Sequence, residues 1–159
     1  MVDGRPGSGW LQGSVHVLPL RVYWEDTDGT GAVYYANYLK YAERARTDLL
    51  RLAGIQQSAL LEDGDVTFAV RRCEVAYLAP ARLDDELEVH TRLTDIRGAS
   101  LQAEQIVRRN GTDLVKAIVN VACLDRSGKP RRLPAPVKES LAALPHSRLG
   151  ATTVDNTTN

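Results

Sequence analysis

Apolar positions along this chain keep two rhythms. Between about Val15 and Trp24, the residues Leu18, Leu20, Val22 and Trp24 recur at every second place, the period of a strand with one buried face. Pro19 within that run predicts an edge or irregular position. A polar turn, Glu25 to Gly31, follows. From about Ala32 to Leu52 the step lengthens to three and four, and Tyr38, Tyr41, Ala42, Ala45, Leu49 and Leu52 share one helical face, with Gly54 placed to end the helix. After a loop containing Asp63, Gly64 and Asp65, strand character returns over Val66 to Tyr77. Leu87, Val89, Thr91 and Leu93 then alternate with Glu86, Glu88, His90 and Arg92. Leu101 to Arg109 and Leu114 to Leu124 form the next two strands, joined at Asn110-Gly111, a strong hairpin signal. Arg126 to Lys129 reads as a turn and Val137 to Leu144 as a short closing helix.

One strand, one long helix and a hairpin-rich run of four strands predict an α+β domain, an antiparallel sheet wrapped around one long central helix. The domain is expected over residues 14–146, with loose tails at 1–13 and 147–159, the first rich in Gly and the second in Thr and Asn. One helix covers one face of such a sheet, so a homo-oligomer, a homodimer or homotetramer, is expected to bury the remainder.

Composition narrows the class. The 159 residues carry 20 basic and 20 acidic side chains for zero formal charge, which argues against a protein devoted to nucleic acid or anionic membrane. No apolar run reaches the roughly 20 residues of a bilayer span, and the N-terminus has no apolar signal core. Cys73 and Cys123 show no paired spacing and read as buried free thiols of a cytoplasmic protein. His16, His90 and His146 have no metal-ligand spacing, so no metal and no cofactor are expected.

The candidate chemistry lies between Tyr23 and Tyr41, where six of the nine aromatic residues surround an Asp-Gly turn. Amides at a helix start lack partners and point their N–H groups outward, and Gly29 and Gly31 leave room for close approach. Amides from Gly31 to Tyr35 would polarise a carbonyl, with Asp28 before them as an ionised nucleophile or base. On the turn alone a helix N-cap or simple turn is the better account of Asp28, and the aromatic surroundings narrow that gap without closing it. Tyr38 and Tyr41 fit the core, whereas Tyr34 and Tyr35 stand at the helix entrance.

The stretch Val22-Tyr23-Trp24-Glu25-Asp26-Thr27-Asp28-Gly29-Thr30-Gly31-Ala32-Val33-Tyr34-Tyr35-Ala36-Asn37-Tyr38 resembles the signature of hotdog-fold acyl-CoA thioesterases of the 4-hydroxybenzoyl-CoA thioesterase type, closest to their Tol–Pal-associated bacterial branch. Leu39 to Arg46 and Val75 to Asp85 continue the resemblance, which covers about residues 15–135. It implies a hotdog fold, active sites at a dimer interface and hydrolysis of an acyl-CoA thioester. By position, Asp28 would be the catalytic carboxylate and the Tyr35 amide the donor to the thioester carbonyl. Trp24 and Tyr35 stand where many members of that branch carry Tyr and His, a change that bears on substrate choice. Trp24, Gly31 and Tyr34 would contact substrate, Phe68, Ala69 and Val70 the pantetheine arm, and Arg97 and Ser100 the nucleotide end of CoA. Arg131 and Arg132 are weaker phosphate candidates. Glu43, three residues from both Lys40 and Arg46, is sufficiently explained by pairing on the helix surface.

The implied substrate is a short-chain or aromatic acyl-CoA, with acyl carrier protein as an alternative carrier. Two other readings stay open, a non-catalytic acyl-CoA or acyl-carrier-protein binding module and a hotdog dehydratase or hydratase. The last usually needs a His/Glu pair, and no His lies near Asp28 in sequence.

Overall fold

The computed structural model describes residues 7–144. The strands are β1 (Trp10–Gln12), β2 (Val15–Arg21), β3 (Thr67–Tyr77), β4 (Glu86–Ile96), β5 (Ser100–Arg109) and β6 (Thr112–Leu124), and the helices are α1 (Asn37–Leu52), α2 (Gln57–Gly64) and α3 (Ala135–Ala142). The six strands form one antiparallel sheet in the order β1-β2-β4-β5-β6-β3. Alternation does the sorting. Leu87, Val89 and Thr91, then Leu101, Ala103, Gln105 and Val107, then Val115, Ala117, Val119 and Val121 are buried, while most of their neighbours in sequence are wholly or partly exposed. Helix α1 lies on this inner face through Tyr38, Tyr41, Ala42, Ala45, Leu49 and Leu50. The β5–β6 hairpin turns at Asn110 (φ 50°) and Gly111 (φ 77°), as the Asn-Gly pair predicts.

Gly54 ends α1 as expected. It takes φ 82°, its amide reaches Arg51 O at 2.9 Å, and Ile55 N reaches Leu50 O at 2.8 Å while the two side chains pack together. This left-handed closure is one that glycine adopts without strain. The start of the helix departs from the reading of the sequence. Residues 32–36 lie outside α1, because Val33 N bonds to Ala81 O and Tyr34 N to Asp26 O, both at 2.9 Å. Leu52 is exposed, and Leu50 takes its expected place in the core against Val137 and Leu141 of α3.

Other differences have local causes. The first strand stops at Arg21, and Trp24 sits in a short 3-10 turn (Trp24–Asp26) with its side chain 64% exposed, so it does not share the buried face of Leu18 and Val22. Within the expected N-terminal tail, Trp10–Gln12 pairs with β2, and the His16 ring donates from Nε2 to Ser8 O at 2.6 Å. Residues 1–6 of that tail, and the tail at 147–159, lie outside the described residues. Asp63 and Gly64 belong to α2 rather than a loop. This short helix shows little amphipathic pattern, and it is capped by Asp65 in the left-handed region, φ 51°. Cys123 is buried as expected, whereas Cys73 on β3 is exposed.

Two features position the rest. Gln105, fully enclosed, donates from Nε2 to Ala42 O and Thr91 Oγ1, both at 2.9 Å, and accepts from Arg46 Nη1 at 2.8 Å, tying α1 to the middle of the sheet. Strand β3 pairs only with β6 among the described residues, and Val70 to Glu74, Ala76 and Tyr77 are exposed along it. No described helix is long and apolar enough to cross a membrane.

Candidate active site

The Asp-rich turn is a closed hairpin standing ahead of α1. Thr27 bridges Val33, Asp28 N donates to Ala32 O at 3.0 Å, and Gly29 and Gly31 take φ values of 89° and 93°. Only glycine adopts such values without cost, and these two permit the reversal. The segment 81–85 braces the hairpin from below. Leu83 N bonds to Gly31 O (2.8 Å), Val22 N to Asp85 O (2.9 Å) and Asp84 N to Val22 O (3.0 Å). Asn37 Nδ2 reaches Asp26 O at 2.7 Å, and the Tyr38 hydroxyl accepts from Ala81 N at 2.8 Å. Asp85 is itself clamped by Arg109 at 2.6 Å and by the Arg82 amide at 2.8 Å. Burial alone would raise its pKa, but these donors outweigh burial and lower it. The later motif therefore holds the earlier one in shape.

Asp28 caps no helix. Its Oδ1 accepts from the Thr30 hydroxyl at 2.5 Å and from the Thr30 amide at 2.8 Å, closing a side-chain turn at the surface. Oδ2 accepts nothing from the described residues. The Thr30 hydroxyl, then the Thr30 amide, hold the carboxyl below the usual carboxylate range, so it is ionised at neutral pH. The amides of Tyr35 and Ala36, in the turn just before α1, donate to no described group. An exposed carboxylate and two uncommitted N–H donors thus share one braced segment, the pairing that acyl transfer requires.

Aromatic rings surround the end of this segment. Tyr34 and Tyr35 lie 5.0 Å apart between centroids, and Tyr77 of β3 stacks edge-on to Tyr35 at 6.0 Å and tilted to Tyr38 at 5.8 Å. The Tyr34 phenol is pushed up in pKa by its hydrogen bond to Tyr35, and the Tyr77 phenol by burial, so both keep their protons at neutral pH. No signal in the sequence marks Tyr77 as part of the site. It lies more than 40 residues from Tyr35 along the chain, and only the sheet order brings the two together.

Trp24, Asp28, Gly31, Tyr34 and Tyr35 therefore occupy one segment, and the other predicted residues do not join it within a single chain. Phe68, Ala69 and Val70 lie at the opposite end of β3 from Tyr77, which at 3.3 Å per residue is about 23–30 Å away. Phe68 and Val70 line an apolar cavity of about 70 Å³ under the C-terminal half of α1, with Leu49, Leu93, Leu101 and Val121. Arg97 and Ser100 line a separate groove at the β4–β5 turn. Glu43 is paired with Arg46 on α1, as its spacing predicts. No group of three His, Cys, Asp or Glu residues among those described is arranged to hold a metal.

The Thr30 contact makes a prediction. A carboxyl whose pKa is lowered by folding contributes stability above its unfolded pKa, and that contribution is lost as pH falls through the folded value. Thr30→Ala removes the largest cause of the lowering, so the acidic limb of kcat/KM is expected to move to higher pH with the plateau rate little changed. A pH–rate profile on the purified variant checks this; an unmoved limb would break the link between Asp28 and the rate.

An antiparallel sheet wrapped on one long helix is the hotdog architecture. The chain belongs to the thioesterase-like superfamily, whose profile matches residues 22–144. It is 44% identical over 129 residues to the acyl-CoA thioesterase YbgC of Haemophilus influenzae, covering 81% of this chain and 93% of that protein. It is 49% identical over 118 residues to the acyl-CoA thioester hydrolase YbgC of Escherichia coli O6:H1, covering 73% and 87% respectively. The crystal structure of a probable thioesterase from Bartonella henselae superposes with a TM-score of 0.73 at 37% identity, covering 76% of this chain and 99% of that one.

Proposed function

We propose that this protein hydrolyses the thioester of a short-chain or aromatic acyl-CoA to the free acid and CoA. Asp28 acts as nucleophile or as general base on water, and the Tyr35 amide polarises the thioester carbonyl. The observation that carries the reading is the ionised, outward-facing Asp28 carboxylate on the same braced segment as the uncommitted Tyr35 and Ala36 amides. Trp24, Gly31, Tyr34 and Tyr35 contact the acyl and thioester portion, a role supported by the aromatic surface they present. Phe68, Ala69 and Val70 receive the pantetheine arm, and Arg97 and Ser100 the nucleotide end, with acyl carrier protein as an alternative carrier.

Because those groups are spread along one chain, the working unit is a homodimer, or a homotetramer built from it. The exposed edge of β3 supports this. Two such strands paired antiparallel about a two-fold axis set the Phe68 end of one beside the Tyr77 end of the other, next to Tyr35. The free thiol of Cys73 on that edge fits a reducing cytoplasm.

The test is a hydrolysis screen over short, long and aromatic acyl-CoA thioesters. Turnover highest on short or aromatic acyl groups is expected. Binding of these esters with no turnover across the panel would overturn the reading in favour of a binding module.

A further inference from the structure

Asp26 and Asp28 stand two positions apart, and the fold gives them different surroundings. Asp28 is exposed, whereas Asp26 is partly buried and is engaged through its amide, its carbonyl and its carboxyl. The amide donates to Tyr23 O at 3.0 Å, and Oδ2 accepts from Tyr23 N at 2.8 Å, so the turn ahead of the hairpin is closed from both sides. The carbonyl accepts twice, from Tyr34 N at 2.9 Å and from Asn37 Nδ2 at 2.7 Å, which fills both its lone pairs. Tyr41, one helical turn beyond Asn37, is enclosed in the core, and its hydroxyl makes no hydrogen bond with a described group. Burial first, then the Asp26 carboxyl that it faces, push this phenol up in pKa, so it stays protonated beside that carboxyl at neutral pH.

Asn37 is buried at the first position of α1, yet its side chain does not serve the helix. An Asn at a helix start ordinarily turns its oxygen back onto the helix amides. Here the N-cap is Ala36, which makes no side-chain cap, and Asn37 sends its Nδ2 out of the helix to Asp26. The helix forgoes a cap, and the hairpin gains a tie. Asp28 lies two positions after Asp26, and Tyr35 two positions before Asn37. Contact between Asp26 and Asn37 therefore sets the separation of the carboxylate from the Tyr35 amide through two residues on either side. Along the chain itself the two are joined through Gly29 and Gly31, whose bare backbone leaves many separations open. Asn37 acts on the amide in a second way. Its own N–H donates at 2.9 Å to Tyr34 O, which belongs to the same peptide unit as the Tyr35 N–H. A bond accepted at that oxygen polarises the unit and strengthens its N–H as a donor.

We propose that Asn37 and Asp26 are positioning residues of thioester hydrolysis, holding the Asp28 carboxylate and the Tyr35 amide at the separation the reaction needs. This role rests on the acyl-CoA reading above and deepens it. Both residues act through Asp28 and Tyr35, so their influence falls on kcat, where small errors in placing reacting groups are costly, and not on the hold on CoA.

The test measures kcat and KM on whichever of butyryl-CoA and benzoyl-CoA is hydrolysed faster. The variants are Asn37→Leu, Asp26→Ala and Asp26→Asn, with Asn37→Leu repeated in the Asp28→Asn background. Leucine keeps the bulk of the buried side chain and removes the donor. We expect Asn37→Leu and Asp26→Ala to lose about tenfold or more in kcat, with KM within about twofold of the unaltered protein. Asp26→Asn keeps an acceptor for Tyr23 N and should recover part of the loss. In the Asp28→Asn background Asn37→Leu should cost about twofold or less, because the carboxylate whose place it sets has already gone. Urea unfolding shows that each variant is folded, and Asn37→Ala is read in place of Asn37→Leu if leucine is not accommodated. A kcat of the folded Asn37 variant within about twofold of the unaltered protein would overturn the proposal. So would the full tenfold loss repeated in the Asp28→Asn background, the mark of a role independent of Asp28. A failure of the hydrolysis assignment shows separately, as undiminished turnover in Asp28→Asn alone.

Discussion

Asp28→Asn is expected to fold as the unaltered protein does and to lose at least about 100-fold in kcat/KM, or roughly 2.7 kcal/mol of transition-state stabilisation. The amide side chain keeps an oxygen where Oδ1 accepts from Thr30, so the hairpin closes as before. What disappears is the negative charge, and with it the ability to attack a carbonyl or take a proton from water. The Tyr35 and Ala36 amides remain, so the residual rate should still exceed that of the uncatalysed reaction. Turnover within about twofold of the unaltered protein would remove Asp28 from the chemistry. A single turnover in heavy-oxygen water divides its two roles: label carried into Asp28 marks attack by the carboxylate itself, and label confined to the acid product fits attack by water.

Gln105→Ala should be among the most costly single changes in the core, at about 2–4 kcal/mol of unfolding free energy. The amide satisfies Ala42 O in α1 and Thr91 Oγ1 in β4, and it receives one nitrogen of Arg46, whose side chain is only 15% exposed. Alanine leaves all three without that partner in a place water reaches poorly, and it opens space under the helix. Glu43 still neutralises Arg46, which keeps the loss below that of an isolated buried charge. Urea unfolding at fixed protein concentration checks this, and a change under about 0.5 kcal/mol would mean that the network is solvated or replaceable.

The parts of the fold legible in the sequence were those whose signals are local. Leu87 to Leu93 read as a half-buried strand because alternation needs only neighbours, and Asn110-Gly111 and Gly54 read as a turn and a stop because their backbone conformations are intrinsic. The late start of α1 was hidden for the opposite reason. The bonds that hold residues 33 and 34 out of the helix come from Ala81 and Asp26, and nothing in the pattern after Ala32 announces them. Strand β1 is three residues long and α2 carries little amphipathic contrast, so neither rises above its surroundings. Cys73 is exposed against the expectation of burial because the position of β3 at the sheet's edge follows from topology and not from its own residues. The candidate site divides the same way. Asp28, Tyr34 and Tyr35 were visible because they fall in one short stretch. Tyr77 and the Asp85–Arg109 clamp depend on contacts across the fold.

The strand order also governs when the protein can form at all. Thr67 of β3 meets Leu124 of β6, and Tyr77 meets Val115, whereas β2 has no partner but the three residues of β1 until β4 exists. A ribosome-bound chain that has reached Leu78 has made both its long helix and a future edge strand, with no sheet to receive either. Closure must therefore wait for nearly the whole sequence, because β2 and β3 are placed only by pairing with the distant β4 and β6, and pairings of high sequence separation form slowly. The nascent half-chain carries the apolar face of α1 uncovered throughout that interval, which makes synthesis, more than the finished enzyme's lifetime, its time of greatest exposure to aggregation.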